Sequence, residues 1–225
     1  MTEDYAELEM GPDGQFIIPK KSQVHSFKWQ EGFVSPFLAT SPTALARLVE
    51  SIHRLTLIDS SARQFNSVLD LGSGKGDILF ALAAAAGPGG LLEGKLHGRL
   101  IGVELDETLV DESVLTAASF DPTPGIEFLF VKGDVVTMEL FGLSDTAELE
   151  AGSTVESIAE HVDIITIFLL PAAIAKIIPF LRKMIEEGKV VVSVMWNIEY
   201  SGQSLEEYRD LTVCNDADIK IYRKQ

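Results

Sequence analysis

One cysteine, Cys214, occurs in 225 residues. An internal disulfide is therefore excluded, and so is a thiolate metal cluster, which needs several sulfur ligands. The histidines His25, His53, His97 and His161 are scattered, with no two at metal-ligand spacing, so no metal is expected. Basic residues are scarce: 18 Lys and Arg stand against 34 Asp and Glu, for a net charge of −16. Nucleic-acid binding through phosphates needs a basic patch, so nucleic acid is not an expected partner. Charge of this sign suits solubility, and it would also steer a basic partner toward the surface. Long apolar runs are missing too. The longest, 164–175, is interrupted by Thr166 and Pro171 and falls short of the ~20 residues of a membrane span. Glu3, Asp4, Glu7 and Glu9 give the N-terminus the wrong charge for a secretory or Arg-rich targeting segment. The expected location is cytoplasmic. Internal repeats and low-complexity tracts are absent.

Apolar residues make up 46% of the chain, enough for a core in one domain with elaborations. The rest of the sequence is organised around Ser67–Ile78, SVLDLGSGKGDI. Val68–Leu71 reads as a short buried strand that runs into Gly72, Gly74 and Gly76 and then into an apolar helix, Asp77–Ala86. Glycines at a strand-to-helix turn let a ligand approach the backbone, and the helix start offers free N–H groups. The ligand is expected at the carboxyl end of this strand, where open α/β sheets bind. The spacing is not the dinucleotide G-x-G-x-x-G, because Asp77 stands where the third glycine belongs. A phosphate-binding G-x-x-x-x-G-K-[S/T] loop fails as well, because Gly76 follows Lys75 and no hydroxyl comes after it. The pattern left is a strand ending in an acid, Asp70, followed by G-x-G-x-G; the alternative is a tight turn without a ligand.

Ahead of this stretch, Thr40-Ser41-Pro42 reads as a helix start, with a hydroxyl cap and proline at the first helical position. The helix spans Thr43–Leu55. Residues 1–35 form an extension, partly disordered or folded as a lid. Its Phe27, Trp29 and Phe33, together with Phe37, suit either a clasp over the domain or a cover over the site. After the glycine loop, 91–98 reads as a loop, and 100–103 is a strand ending at Glu104. A carboxylate there suits a grip on two ribose hydroxyls, or else a first-turn acid. Asp106 fills the capping role better, ahead of a helix over Glu107–Ala118. Ile126–Val131 is a strand followed by Lys132-Gly133-Asp134, where Asp134 either meets a ligand or caps the next turn. The acidic stretch 141–161 reads as a loop with a short helix at 155–161, and its role is open. Strands at 163–170 and 189–196 flank a helix over 172–187 that Pro179 is expected to kink or split. Short strands at 211–214 and 219–223 end the chain. Strands and helices alternate from Ser67 onward, which predicts an α/β, doubly wound, mostly parallel sheet.

The Ser67–Ile78 stretch resembles motif I of the class I S-adenosylmethionine (SAM) methyltransferases. The resemblance implies a Rossmann-like, seven-stranded domain over 36–225 with SAM as cofactor. It implies that the loop residues Asp70, Gly72, Ser73, Gly74 and Gly76 hold the methionine part. Glu104 and Leu105 then meet the ribose, Gly133 and Asp134 the adenine, and Phe168 flanks the methyl. Thr40 or Ser41 meets the carboxylate. A narrower likeness lies in Pro36–Pro42 (PFLATSP), Phe168-Leu169-Leu170-Pro171 with Pro179 beyond it, and Val191-Val192-Ser193. Over roughly 36–200 these features resemble the lysine methyltransferases that modify the ATP synthase c-subunit and the adenine nucleotide translocase. The chain departs from that pattern in having Thr-Ser-Pro where the family has Pro-Thr-Pro. It also lacks the leader that animal members carry. The implied substrate is a lysine side chain of a protein. A small-molecule acceptor, or a SAM-binding module without catalysis, is the alternative. No catalytic residue and no oligomeric state is assigned.

Overall fold

A computed structural model describes residues 37–58, 64–121, 123–141, 153–198, 212–215 and 218–224. The extension 1–35, with Phe27, Trp29 and Phe33, lies outside the described residues, as does 142–152 of the acidic stretch. The elements in chain order are α1 (Pro42–Ile58), β1 (Phe65–Leu71), α2 (Asp77–Ala86), β2 (Leu96–Glu104), α3 (Glu107–Ser119), β3 (Ile126–Asp134), β4 (Glu139–Leu140), α4 (Val155–Ala159), β5 (Ile164–Ile167), α5 (Pro171–Glu186), β6 (Val190–Val194), β7 (Thr212–Asn215) and β8 (Ile219–Tyr222). They form one sheet in the order β4-β3-β2-β1-β5-β6-β8-β7. Strands β3, β2, β1, β5 and β6 are parallel, and β8 and β7 run antiparallel at one edge. This is the doubly wound, mostly parallel sheet that the alternation predicted. The strand count differs from the expected seven because the two-residue β4 pairs back onto β3 at Gly133 and Asp134.

Side-chain alternation along the strands divides the core into two. Val68 of β1 and Val190, Val192 and Val194 of β6 pack beneath α1, α2 and α3, with Leu48, Ile52, Leu79 and Leu82 from the helices. Leu69 and Leu71 of β1, Ile165 and Ile167 of β5 and Val191 of β6 face α4 and α5, meeting Ile174, Ile177, Leu181 and Met184. Strands buried on both faces read as continuous apolar runs, so 164–167 and 190–194 were visible in the sequence. On the first face Phe80 of α2 joins Phe120, Phe128 and Phe130, with its ring centroid 4.9 to 5.6 Å from theirs.

Several boundaries move for identifiable reasons. β2 begins at Leu96, inside the expected loop, because Phe65 pairs with Leu96 at the start of β1. β6 stops at Val194 because Met195 turns to φ 69 and its N–H donates to the Asp218 carbonyl. The helix start is as expected: Ser41 Oγ accepts from the Ala44 N–H at 3.2 Å. Asp106 likewise caps α3, accepting from the Thr108 N–H at 2.9 Å. Pro179 does not split α5, which runs unbroken for 16 residues. Pro179 and Ala175, the residue one turn before it, both lie on the exposed face. The carbonyl that proline leaves without a helical partner therefore meets water.

Replacing Pro179 by alanine is expected to restore that helical bond and raise stability by about 1–3 kcal/mol. Ile174→Ala, on the fully buried face of the same helix, should lower it by about 2–5 kcal/mol. Urea unfolding of the two variants beside the wild type measures both.

Candidate functional site

The parallel strands end together on one side of the sheet, and the loops after β1, β2, β3 and β5 enclose a crevice there. Counting the solvent-open space at its mouth, the crevice encloses roughly 830 Å³. The glycine loop forms one wall. Gly72 and Gly74 stand at φ 75 and φ 55, a region that residues with a Cβ rarely enter. A Cβ on Gly72 would come 2.6 Å from Leu169, and one on Gly74 would come 2.3 Å from the Phe37 ring. The loop therefore lies in close contact with the lead-in on one side and the segment after β5 on the other. Gly72 and Ser73 donate to the Val103 carbonyl at 2.8 and 3.1 Å, which fixes the turn to β2.

Glu104, at the end of β2, holds the loop from across the crevice. Its Oε2 accepts from the Gly74 N–H at 2.9 Å. Its Oε1 accepts from the N–H groups of Leu105 at 2.7 Å and Asp106 at 3.0 Å. Burial raises its pKa, and these three donors oppose the rise. A carboxylate offers about four lone-pair positions. The expected grip on two hydroxyls therefore has one position free, on Oε2, until a backbone bond yields.

Three further carboxylates border the same crevice: Asp70, Asp77 and Asp134. Asp70 is 1% exposed, and its Oδ1 accepts from the Thr166 hydroxyl at 2.7 Å. Its pKa is raised to about 7, first by loss of solvent and then by the charges of Glu104 and Asp77, against the Thr166 bond. Asp77, in the first turn of α2, is also raised by burial, and the Thr40 N–H and the Lys75 charge pull it back. Asp134 Oδ1 accepts from the Val136 N–H at 2.7 Å. The capping alternative for Asp134 is thus present in the structure, alongside its place on the crevice wall. No lysine, arginine or histidine lines the crevice among the described residues. The apolar wall is made by Phe37, Ile78, Phe168 and Leu169.

Of the residues singled out in the sequence, Thr40, Asp70, Gly72, Ser73, Gly74, Glu104, Leu105, Gly133, Asp134 and Phe168 border the crevice together. Gly76 does not. It caps α2 at φ 80, and a Cβ there would meet Phe130 and Phe80 at 2.8 Å. Ser41 caps α1 rather than bordering the crevice. Ser73 Oγ is buried without a hydrogen-bond partner, while the Leu105 N–H is already spent on Glu104. Sequence reasoning missed Asp77 and Thr166 as members of the site. Asp77 carried a signal, an acid where a dinucleotide loop has glycine. Thr166 carried none, because only strand pairing sets it beside Asp70.

The raised carboxyls make a pH prediction, and its sign follows from linkage. Asp70 binds its proton more tightly folded, near pH 7, than unfolded, near pH 3.8. Its contribution to stability is therefore fully present below the unfolded value and lost as pH rises through about 7. Asp77 and Glu104 act in the same direction. The ligand-free protein should lose stability between about pH 4 and pH 7, and Asp70→Asn should flatten that fall and be the more stable of the two at pH 8. Urea melts across this range measure it.

No family model matches the sequence, and no curated protein does. Solved structures of similar shape include an RNA methyltransferase from Salinibacter ruber in complex with S-adenosyl-L-homocysteine. It is 22% identical, with 83% of this chain and 92% of that one covered and a TM-score of 0.47. A SAM-dependent methyltransferase from Thiobacillus denitrificans, also with S-adenosyl-L-homocysteine, is 21% identical over 68% of this chain and 48% of that one, at a TM-score of 0.41. A third, an S-adenosylmethionine-dependent methyltransferase from Clostridium acetobutylicum, is 14% identical over 68% and 50%, at 0.40. The chain spans about half the length of the latter two. With scores this low, the fold class rests on strand order and register.

Proposed function

We propose that this chain is a SAM-dependent methyltransferase whose acceptor is a lysine side chain of a protein. The observation that carries the cofactor is the charge of the crevice: four carboxylates and, among the described residues, no basic group. A dinucleotide would bring a pyrophosphate dianion against those carboxylates, at a cost of several kcal/mol for buried like charges. SAM brings an ammonium and a sulfonium, with one carboxylate, and is a net cation. The residues present fit it. Asp70 and Asp77, both short of solvent, regain a compensating charge from a cationic amino group. The unpartnered, buried Ser73 Oγ is a polar atom awaiting a ligand. Glu104 has an acceptor position for a ribose hydroxyl, and Gly133 and Asp134 border the third side.

When bound, SAM supplies a methyl group on a sulfonium, ready for in-line displacement. This chain's own work is to hold the acceptor and exclude water. Phe168 and Leu169 form an apolar wall beside the loop. A lysine amine, ordinarily near pKa 10.4, is driven toward its neutral, nucleophilic form by such desolvation. The net charge of −16 supports a basic segment as the substrate, drawn in by steering. The Phe-Leu-Leu-Pro run after β5 and the lead-in to α1 support the same reading by their likeness to the lysine methyltransferases. The domain is taken as 36–225, with 1–35 as an extension, and the protein as cytoplasmic.

Calorimetry with S-adenosyl-L-homocysteine is expected to show binding that tightens from about pH 6 to pH 8 with release of a proton. NAD should give no heat, and Glu104→Ala should weaken S-adenosyl-L-homocysteine binding at least ten-fold. Absence of heat with the wild type removes the cofactor assignment. For the acceptor, radiolabelled SAM in a whole-cell extract should place label on lysine in protein. Label only in RNA or small molecules removes the lysine reading and leaves the cofactor reading standing.

A further inference from the structure

Asp70 lies in a row that crosses the sheet. Its register partners are Gly102 on β2 and Thr166 on β5, and beyond them stand Phe130 on β3 and Val192 on β6. Each residue of this row is buried. Glycine, phenylalanine and valine offer the carboxylate no side-chain donor, so Thr166 is the one member of the row that does. Its hydroxyl donates to Asp70 Oδ1 at 2.7 Å with both residues at 1% exposure or less. Strand β5 otherwise presents only isoleucines, at Ile164, Ile165 and Ile167. A threonine inside an isoleucine run places a polar group where the core rewards apolar ones. The fold tolerates that because the hydroxyl is satisfied by Asp70.

We propose that Thr166 is a positioning residue for the ligand's cationic end, its hydroxyl holding the Asp70 carboxylate charged and turning its free edge to the crevice. The proposal rests on the reading above, in which Asp70 meets an ammonium group. Other groups face Asp70 from the surrounding elements. Glu104 on β2 and Asp77 on α2 disfavour its charge, and Asp134 borders the same crevice from β3. Lys75 acts on Asp77 and is paired with Glu112 at 2.8 Å. Against these acids, a hydrogen bond to the charged form is the contribution that keeps Asp70 ionisable near neutrality. Valine has nearly the shape of threonine and suits a strand, so Thr166→Val removes the donor with little change in packing. Thr166→Ser keeps the donor and loses a methyl.

The test combines carboxyl carbon-13 NMR of Asp70 in the ligand-free protein with calorimetry using S-adenosyl-L-homocysteine from about pH 6 to pH 8.5. Thr166→Val is expected to move the Asp70 titration midpoint upward by about one pH unit. Its affinity should then be roughly ten-fold weaker than wild type near pH 6.5 and converge on wild type near pH 8.5. Thr166→Ser should restore both. Loss of affinity by one constant factor at every pH, or an unmoved Asp70 titration, would mean that Thr166 only fills space, and overturns the proposal. A wild type that binds no S-adenosyl-L-homocysteine, while the Asp70 midpoint still moves in Thr166→Val, separates the failure of the ligand reading from that of the Thr166–Asp70 coupling. The positioning role then falls with the ligand.

Discussion

The crevice depends on one side chain, Glu104, that does the work of a stretch of backbone. Its two oxygens take N–H groups from Gly74, Leu105 and Asp106, so the loop after β1 and the turn into α3 are tied to the same carboxylate. Loops that cross the ends of parallel strands have no ladder to satisfy them, and an unpaired buried N–H costs about 1–3 kcal/mol. Glu104 removes that cost at three positions at once. In return the three donors oppose the rise that burial imposes on the carboxyl's pKa. The mouth of the crevice and the charge on its wall are thus one interaction, and neither persists without the other.

The crevice gathers four carboxylates with no basic side chain among the described residues. Asp70, Asp77 and Glu104 are all pushed upward by loss of solvent, and Asp70 is pushed further by the other two. Perturbed carboxyls in a cleft are a recurrent mark of functional sites. The surrounding structure bears that cost. Two apolar cores, one on each face of the sheet, fix β1, β2 and β5 rigidly enough to keep the carboxylates together.

Much of this was legible in the residues. The glycine spacing, the acids at the ends of the first two strands and the apolar runs of β5 and β6 reflect local rules: backbone freedom, strand burial on both faces and helix starts. They located the crevice, and the resemblance to motif I supplied most of the ten expected residues that border it. Local rules failed where a distant partner decided the outcome. β2 begins early because β1 is there to pair with Leu96. β3 runs on through Gly133 and Asp134 because β4 folds back onto it. Pro179 sits quietly in α5 because the face it disturbs is wetted. Gly76 resembles a ligand contact in sequence, and in space it makes room for Phe130 and Phe80.

The linear chain by itself determined the class of fold and the chemical type of the site, since turn geometry, alternation and charge are carried by neighbouring residues. Tertiary structure alone decided how that site is tuned. Thr166 reaches Asp70 across 96 positions of chain, and Glu104 reaches Gly74 across 30. Such contacts follow from strand register, which no local pattern encodes. The ionisation of a carboxylate depends on what surrounds it in three dimensions rather than on what precedes it in the chain.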